Sequence, residues 1–292
     1  MDYLAVLAIN GAYLSLIVGL FGLCVGSFLN VVIHRLPQML DVQWSAQCRE
    51  LLNIEQSEEP PDVPGLFLPR SRCPHCGHQI SAWENIPVLS FLWLRGRCYE
   101  CKSRIAWRYP LIEIVTAVLS VIVIQQLGIG WGSLLALGLT WALIALSVID
   151  FDRQILPDVI TLPLLWLGLL ANLFGLFTDL ASAVVGAVAG YLILWSVYHG
   201  FRLVTGKEGM GYGDFKLLAT LGAWLGWQSL PLILLLASAI GTIISLILII
   251  GRGRDRHLPI PFGPYLAGAG WVAMLWGSTI TTRYFPLASL GG

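Results

Sequence analysis

Charge is what this sequence has least of. Asp, Glu, Lys and Arg together make up 12% of its 292 residues, about half the roughly 25% of an ordinary soluble domain. Hydrophobic residues make up 57%, and the mean hydropathy is +0.76. That balance excludes a soluble globular domain and points to a polytopic membrane protein. The net charge of zero gives no sign of a nucleic-acid partner. A basic cluster is also missing ahead of the first apolar stretch, which begins Met1-Asp2-Tyr3 and runs to Ile33. Its length far exceeds the roughly 7–15 residues of a signal-peptide core, so a cleavable signal peptide is not expected. No glycine-rich nucleotide loop follows a strand, which excludes a Rossmann-type site.

Apolar runs suited to crossing a bilayer, ideally about 20 residues, fall at 4–33, 110–127, 132–149, 157–177, 181–201, 215–227, 229–250 and 262–282. The fold class expected is all-α, with about eight transmembrane helices. The run at 215–227 is short, which suits a partial or protein-supported helix. Basic residues orient the set. With the N-terminus outside, nine Lys/Arg in 34–109 lie inside, as do Arg153, Arg202, Lys207, Lys216, Arg252, Arg254 and Arg256. Sixteen of seventeen are then cytoplasmic, leaving Arg283 outside. The expected topology is N-out/C-out.

One hydrophilic segment, 34–109, is long enough to fold. The domains expected are therefore a first transmembrane helix at 1–33, a cytoplasmic metal-binding domain at 34–109 and a transmembrane domain at 110–292. Within the segment, Trp44 to Leu52 suits a short surface helix, and 55–65 reads as an acidic, proline-containing connector. Beyond it stand Cys73-Pro74-His75-Cys76 and Cys98-Tyr99-Glu100-Cys101, with 21 residues between the pairs. Two thiolate pairs at that spacing suit tetrahedral zinc. With few apolar residues nearby, metal binding would supply the folding energy. The alternatives are two disulfides or four free thiols, and a cytoplasmic loop disfavours the disulfides. His75 and His78 are competing ligands only if the four sulfurs do not complete the shell. Cys24 and Cys48 read as plain small residues.

Six acids lie at or near the later helices: Glu113, Asp150, Asp152, Asp158, Asp179 and Asp214. Carboxylates there are costly unless paired, solvated or functional. Asp179 reads as a solvated turn residue, Asp152 as a partner for Arg153, and Asp158, after Pro157, as a helix-start residue. Asp150 differs, because it ends an apolar helix whose C-terminal dipole should repel it. Asp214 follows Gly209, Gly211 and Gly213. Those glycines permit unusual backbone conformations and leave room for a substrate strand. Both aspartates fall at cytoplasmic helix ends. Two such carboxylates a few ångström apart cannot both ionise, so one holds a proton to polarise a carbonyl while the other activates water. That is aspartyl-protease chemistry.

Separated motifs run along nearly the whole chain: Gly26-Ser27-Phe28-Leu29-Asn30-Val31-Val32-Ile33-His34-Arg35, both cysteine pairs, Asn85-Ile86-Pro87 and Arg108-Tyr109-Pro110-Leu111-Ile112-Glu113. They continue through Ile149-Asp150, Leu156-Pro157-Asp158, Gly209 to Lys216 and Pro259-Ile260-Pro261-Phe262-Gly263-Pro264. In these the chain resembles the bifunctional prepilin peptidases, or type IV leader peptidases. The resemblance implies Asp150 and Asp214 as the catalytic pair, supported by Gly211 and Gly213. It implies cleavage of prepilins and type II pseudopilins after a Gly and before a residue that is usually Phe. The new amine is then methylated from S-adenosylmethionine. It further implies the inner membrane of a Gram-negative bacterium, and it ties methylation to the zinc-bearing segment. Asn30, Arg35 and Glu113, at the mouths of the flanking helices, are candidates to hold that cofactor, or else they snorkel and cap. The competing class is a transporter or proton-relay protein with a regulatory zinc loop. It would call for an internal repeat, and none is visible. A non-catalytic assembly scaffold is a third reading, opposed by the paired aspartates.

Overall fold

A computed structural model describes residues 3–53, 65–207, 209–252 and 261–284. Among the described residues every regular element is a helix, apart from two isolated bridges. The chain divides into two compact units, Met1–Gln125 and Gln126–Gly292. Five helices are apolar and long enough to cross a membrane: α1 (Tyr3–Leu51), α3 (Arg108–Leu127), α4 (Trp131–Arg153), α6 (Leu180–Thr205) and α8 (Leu230–Arg252). The others are the five-residue α2 (Leu89–Trp93), α5 (Asp158–Leu173), α7 (Tyr212–Leu225) and α9 (Gly263–Tyr284).

In the first unit α1 departs from expectation. It does not stop at Ile33 but continues as one helix to Leu51, through Pro37. The stretch at Trp44 to Leu51 is its tail, not a separate surface helix. A proline costs a helix one hydrogen bond, and nothing in the polar residues beyond it supplies a stop signal. The acidic connector lies almost wholly outside the described residues. Helices α1 and α3 meet through small residues: a Cβ on Gly22 would come 2.7 Å from Ala117 Cα, and one on Gly26 would come 2.6 Å from Glu113 Cα. Backbones this close gain dispersion contacts where no hydrophobic effect drives helices together.

In the second unit α7 forms the centre. Phe215, Leu217, Leu218, Leu221, Ala223 and Trp224 are fully buried. The helix has 14 residues, so at 1.5 Å per residue it is about 21 Å long. Its neighbours take it in at glycines. Gly168 of α5 lies under the Trp224 indole, Gly186 and Gly190 of α6 face the α7 backbone at Gly222 and Leu218, and Gly270 of α9 receives Leu221. Polar clasps fix its far end. Asn172 Nδ2 donates to the carbonyls of Ala223 and Trp224 at 2.9 and 3.0 Å, while its Oδ1 accepts from the N–H groups of Phe177 and Thr178 at 3.1 Å each. The Trp224 indole N–H donates to Leu164 O at 2.8 Å. The short apolar run is thus a helix wrapped in protein.

Candidate active site and metal centre

Asp150 sits in the last turn of α4, whose C-cap, Gln154, adopts a left-handed conformation and donates to Asp150 O. Its carboxylate is buried at 6% exposure. The repulsion expected from the α4 C-terminus is answered by a partner that sequence spacing does not reveal. The N–H of Gly263, first residue of α9, donates to Asp150 Oδ2 at 3.1 Å. The carboxylate therefore caps the positive end of α9. A Cβ at position 263 would lie 2.6 Å from that same oxygen, so only glycine leaves the approach open.

Asp214 lies in the first turn of α7, also at 6% exposure. Its N–H donates to Gly211 O at 3.2 Å. Leu156 stands beside both approaches, 2.8 Å from a Cβ on Gly213 and 3.2 Å from one on Gly263. Among the described residues Asp214 Oδ1 is buried with no hydrogen-bond partner. A buried acceptor left open is uncommon. Tyr198, Tyr212 and Phe215 pack beside it with ring centroids 5.3–5.7 Å apart.

The glycines act differently from expectation. Gly209, Gly211 and Gly213 all lie outside the positive-φ set, so no special backbone conformation requires them. Gly213 is needed for space against Leu156 and Gly209 for space against Phe201, while Gly211, the N-cap, has open surroundings. Asp158, first residue of α5, is more than a helix-start residue: Lys216 Nζ lies 2.7 Å from both its oxygens, tying α5 to α7 two residues beyond Asp214. Asp179 caps α6 by accepting the Ser182 N–H at 2.9 Å.

In the first unit all four cysteines come together, each Sγ within 4.8 Å of the others. Cys73 and Cys101 are 3.8 Å apart and Cys76 and Cys98 4.0 Å, nearly twice the roughly 2.05 Å of a disulfide. Sulfurs placed tetrahedrally about an ion at about 2.3 Å would be about 3.8 Å apart, so the donors fit one four-coordinate ion. The segment is a duplicated turn. Residues 72–79 and 97–104 each close with a bridge, Arg72 to Gln79 and Arg97 to Arg104. Their first cysteines donate to His78 O and Ser103 O. Gly77 and Lys102 take the same left-handed position, at φ 72° and 58°. N–H groups of Cys76 and then His75 draw the Cys73 thiol down to about 6. At Cys76 the His78 N–H pulls the same way, but burial and the three other sulfurs push it to about 12. Sulfurs that cannot all ionise together want a cation among them. His78 is not a ligand: its ring nitrogens meet Glu84 at 3.1 Å and Glu100 at 2.9 Å.

Asn30, Arg35 and Glu113 are buried and bonded, so they do not snorkel. Asn30 donates to Tyr109 O, and Arg35 to Gly65 O and Pro69 O at 2.7 and 2.9 Å. Glu113 accepts the Val88 N–H at 2.8 Å, and the Ser27 hydroxyl faces it. Together they fasten the loop segment to α1 and α3.

Residues 20–127 match the model of the bacterial peptidase A24 N-terminal domain, and residues 137–246 that of the type IV leader peptidase family. The chain is 60% identical to the prepilin leader peptidase/N-methyltransferase of Aeromonas hydrophila, with 93% of each chain covered. The chain belongs to the type IV leader peptidase family. Other relatives of the same name are 57% identical in Pseudomonas aeruginosa, over 92% of each chain, and 49% identical in Legionella pneumophila, over 93% of this chain and 94% of that protein. No solved structure matches the chain. Within the family match, the leader peptidase model spans Asp150, Asp158 and Asp214, and the N-terminal model spans all four cysteines.

Proposed function

We propose that this protein is a prepilin leader peptidase and N-methyltransferase. It cuts the leader from type IV prepilins and type II pseudopilins after a Gly, then methylates the new N-terminal residue, usually Phe, from S-adenosylmethionine. What supports the peptidase half is that Leu156 adjoins both Gly213, next to Asp214, and Gly263, which holds Asp150, with Asp214 Oδ1 buried and without a hydrogen-bond partner among the described residues. A water between the carboxyl groups loses a proton to one of them and attacks the scissile carbonyl. The other carboxyl gives its proton to the carbonyl oxygen, and the pair later returns a proton to the leaving amine. Gly263 holds Asp150 through its N–H, and the Asp158–Lys216 pair steadies the start of α7. Gly211 and Gly213 keep the approach to Asp214 low.

Zinc is the ion the four-sulfur set suits best, with Cys73, Cys76, Cys98 and Cys101 as its ligands. When bound it supplies folding energy to residues 70–105 and takes no part in proton transfer. The short α5 and α7 and the less apolar α9 complete eight spans with the five longer helices. The N-out/C-out orientation, with sixteen of seventeen basic residues inside, puts both aspartates and the zinc segment on the cytoplasmic side of an inner membrane, where a basic leader would lie. The test is incubation of the purified protein in lipid nanodiscs with a pilin precursor and S-adenosylmethionine. Mass spectrometry should find a new N-terminus carrying one added methyl group. Asp150→Asn and Asp214→Asn should each abolish the cut, whereas Asp179→Asn should retain it. Cleavage at the wild-type rate by either of the first two would remove the pair as assigned.

A further inference from the structure

One face of α1 carries Cys24, Ser27, Phe28, Val31 and Arg35, spaced as a single helical stripe. Two adjoining cavities open on it, both bordered by Phe28, Val31 and Asn85. The wider, about 370 Å³, lies under the loop that bears Phe67, and the narrower, about 270 Å³, reaches back along the helix to Cys24 and Ser27. The wider one falls in the range of small-molecule sites. We propose that it binds the methyl donor and that the narrower one takes the apolar first residue of the cleaved substrate. The proposal rests on the methyltransferase reading above and gives that activity a place.

Two features match the donor, a sulfonium-bearing adenosyl amino acid, and a third disfavours the commonest competing ligand, a metal ion. Phe67 is 80% exposed, yet its ring is stacked on Phe28 with centroids 5.7 Å apart and planes 22° from parallel. A flat aromatic exposed on a loop offers a stacking face to a purine. Arg35 is 8% exposed and uses two N–H groups on the carbonyls of Gly65 and Pro69. A guanidinium has five such donors, and among the described residues no carboxylate pairs with it. An unpaired buried cation is costly, and a ligand carboxylate would answer it, with Arg70 beside it on the same cavity. Finally, among the described residues no acidic side chain lines either cavity, which disfavours a metal ion as the occupant.

The shared border at Phe28 is where the two ligands would meet. A cation over an aromatic face is attracted to it, so the ring suits the sulfonium. The narrower cavity offers Ser27 and Asn85 as hydrogen-bond partners for the incoming α-amine, which reacts in its neutral form. The amine lone pair attacks the methyl carbon as the carbon–sulfur bond breaks. Its electron pair returns to sulfur, leaving a thioether, and the methylated ammonium releases a proton to water.

The test uses the full-length protein in nanodiscs with S-adenosylhomocysteine as probe, followed by titration calorimetry. Wild type should bind it. Phe67→Ala should weaken binding about tenfold or more, and Ala82→Trp, which fills the wider cavity, should remove it, both with unchanged thermal unfolding. Independently of any variant, photolabelling of wild type with radiolabelled S-adenosylmethionine should mark peptides within residues 24–35 or 66–85. Wild-type affinity in both variants, or label confined to other peptides, overturns the site while leaving the methyltransferase reading intact. Failure of wild type to bind the probe at all overturns that reading and the site with it.

Discussion

Replacing Gly263 by Ala should disable cleavage while leaving the fold standing. The added Cβ would lie 2.6 Å from Asp150 Oδ2 and 3.2 Å from its Cγ, and ordinary contact begins at 3.4 Å. The carboxylate must therefore withdraw by about 0.8 Å, and its hydrogen bond from the residue 263 N–H is lost or bent. Little stability is at stake, because the displaced atoms end a rotatable side chain. Catalysis is less forgiving: a misplacement of about 1 Å can cost about 10²-fold in rate, or about 2.7 kcal/mol of transition-state stabilisation. The control is Gly268→Ala on the same helix, where an added Cβ meets nothing within 4 Å. Alanine favours a helix interior over glycine by up to about 1 kcal/mol, so that variant should be as active as wild type and no less stable. Rates of precursor cleavage and thermal unfolding midpoints, measured for both, decide the matter. Equal cleavage rates in the two variants would refute the view that Asp150 must hold its place against the α9 terminus.

The purified protein should carry about one zinc ion. Cys73→Ser should lose it and unfold the segment around 70–105, with methylation falling more than cleavage. Metal analysis beside both activity assays checks this, and equal loss of both activities would sink the division of labour. Asn172→Leu leaves two buried carbonyls and two partly buried N–H groups without this partner and should cost about 3 kcal/mol, read as a lower unfolding midpoint with cleavage reduced in step. The dependence of cleavage on pH should be bell-shaped, since the carboxyl pair works with one proton between them. A rate that only climbs toward alkaline pH would indicate a single base. Asp179, held below the usual carboxylate range by the Ser182 side chain and N–H, stabilises α6 above the ordinary carboxyl pKa and stops doing so as pH falls through its depressed value. Thermal stability should therefore drop less steeply in acid for Asp179→Asn than for wild type.

What the sequence disclosed was whatever its own neighbourhood made anomalous. Asp150 and Asp214 stand out because apolar runs surround them, and the cysteines because their spacing repeats. What it hid were partners far along the chain. Gly263 acts on a residue 113 positions away, and Asn172 clasps carbonyls 51 and 52 positions on. Pro261-Phe262-Gly263-Pro264 is visible as a motif, but its tie to Asp150 exists only once α4 and α9 are packed. The duplicated turn at 72–79 and 97–104 is hidden in the sequence for another reason. Apart from the leading Arg72 and Arg97 and the cysteines, its two copies share geometry rather than residue identity, Gly77 corresponding to Lys102. The tail of α1 is not legible because polar composition reads as the end of an apolar span, although helical backbone does not depend on apolar side chains.

The enclosure of α7 bears on how lipids affect the protein. A lone helix of about 21 Å would fall well short of a hydrocarbon layer about 30 Å thick, and it would tilt, thin the bilayer or sink as that thickness changed. Held by α5, α6 and α9 at fitted glycines, α7 is enclosed by protein, so its position is set by those helices. Asp214 keeps its level relative to Asp150 whether the surrounding bilayer is thin or thick. Adaptation to acyl length falls instead to the outer helices, chiefly the largely exposed faces of α6 and α8.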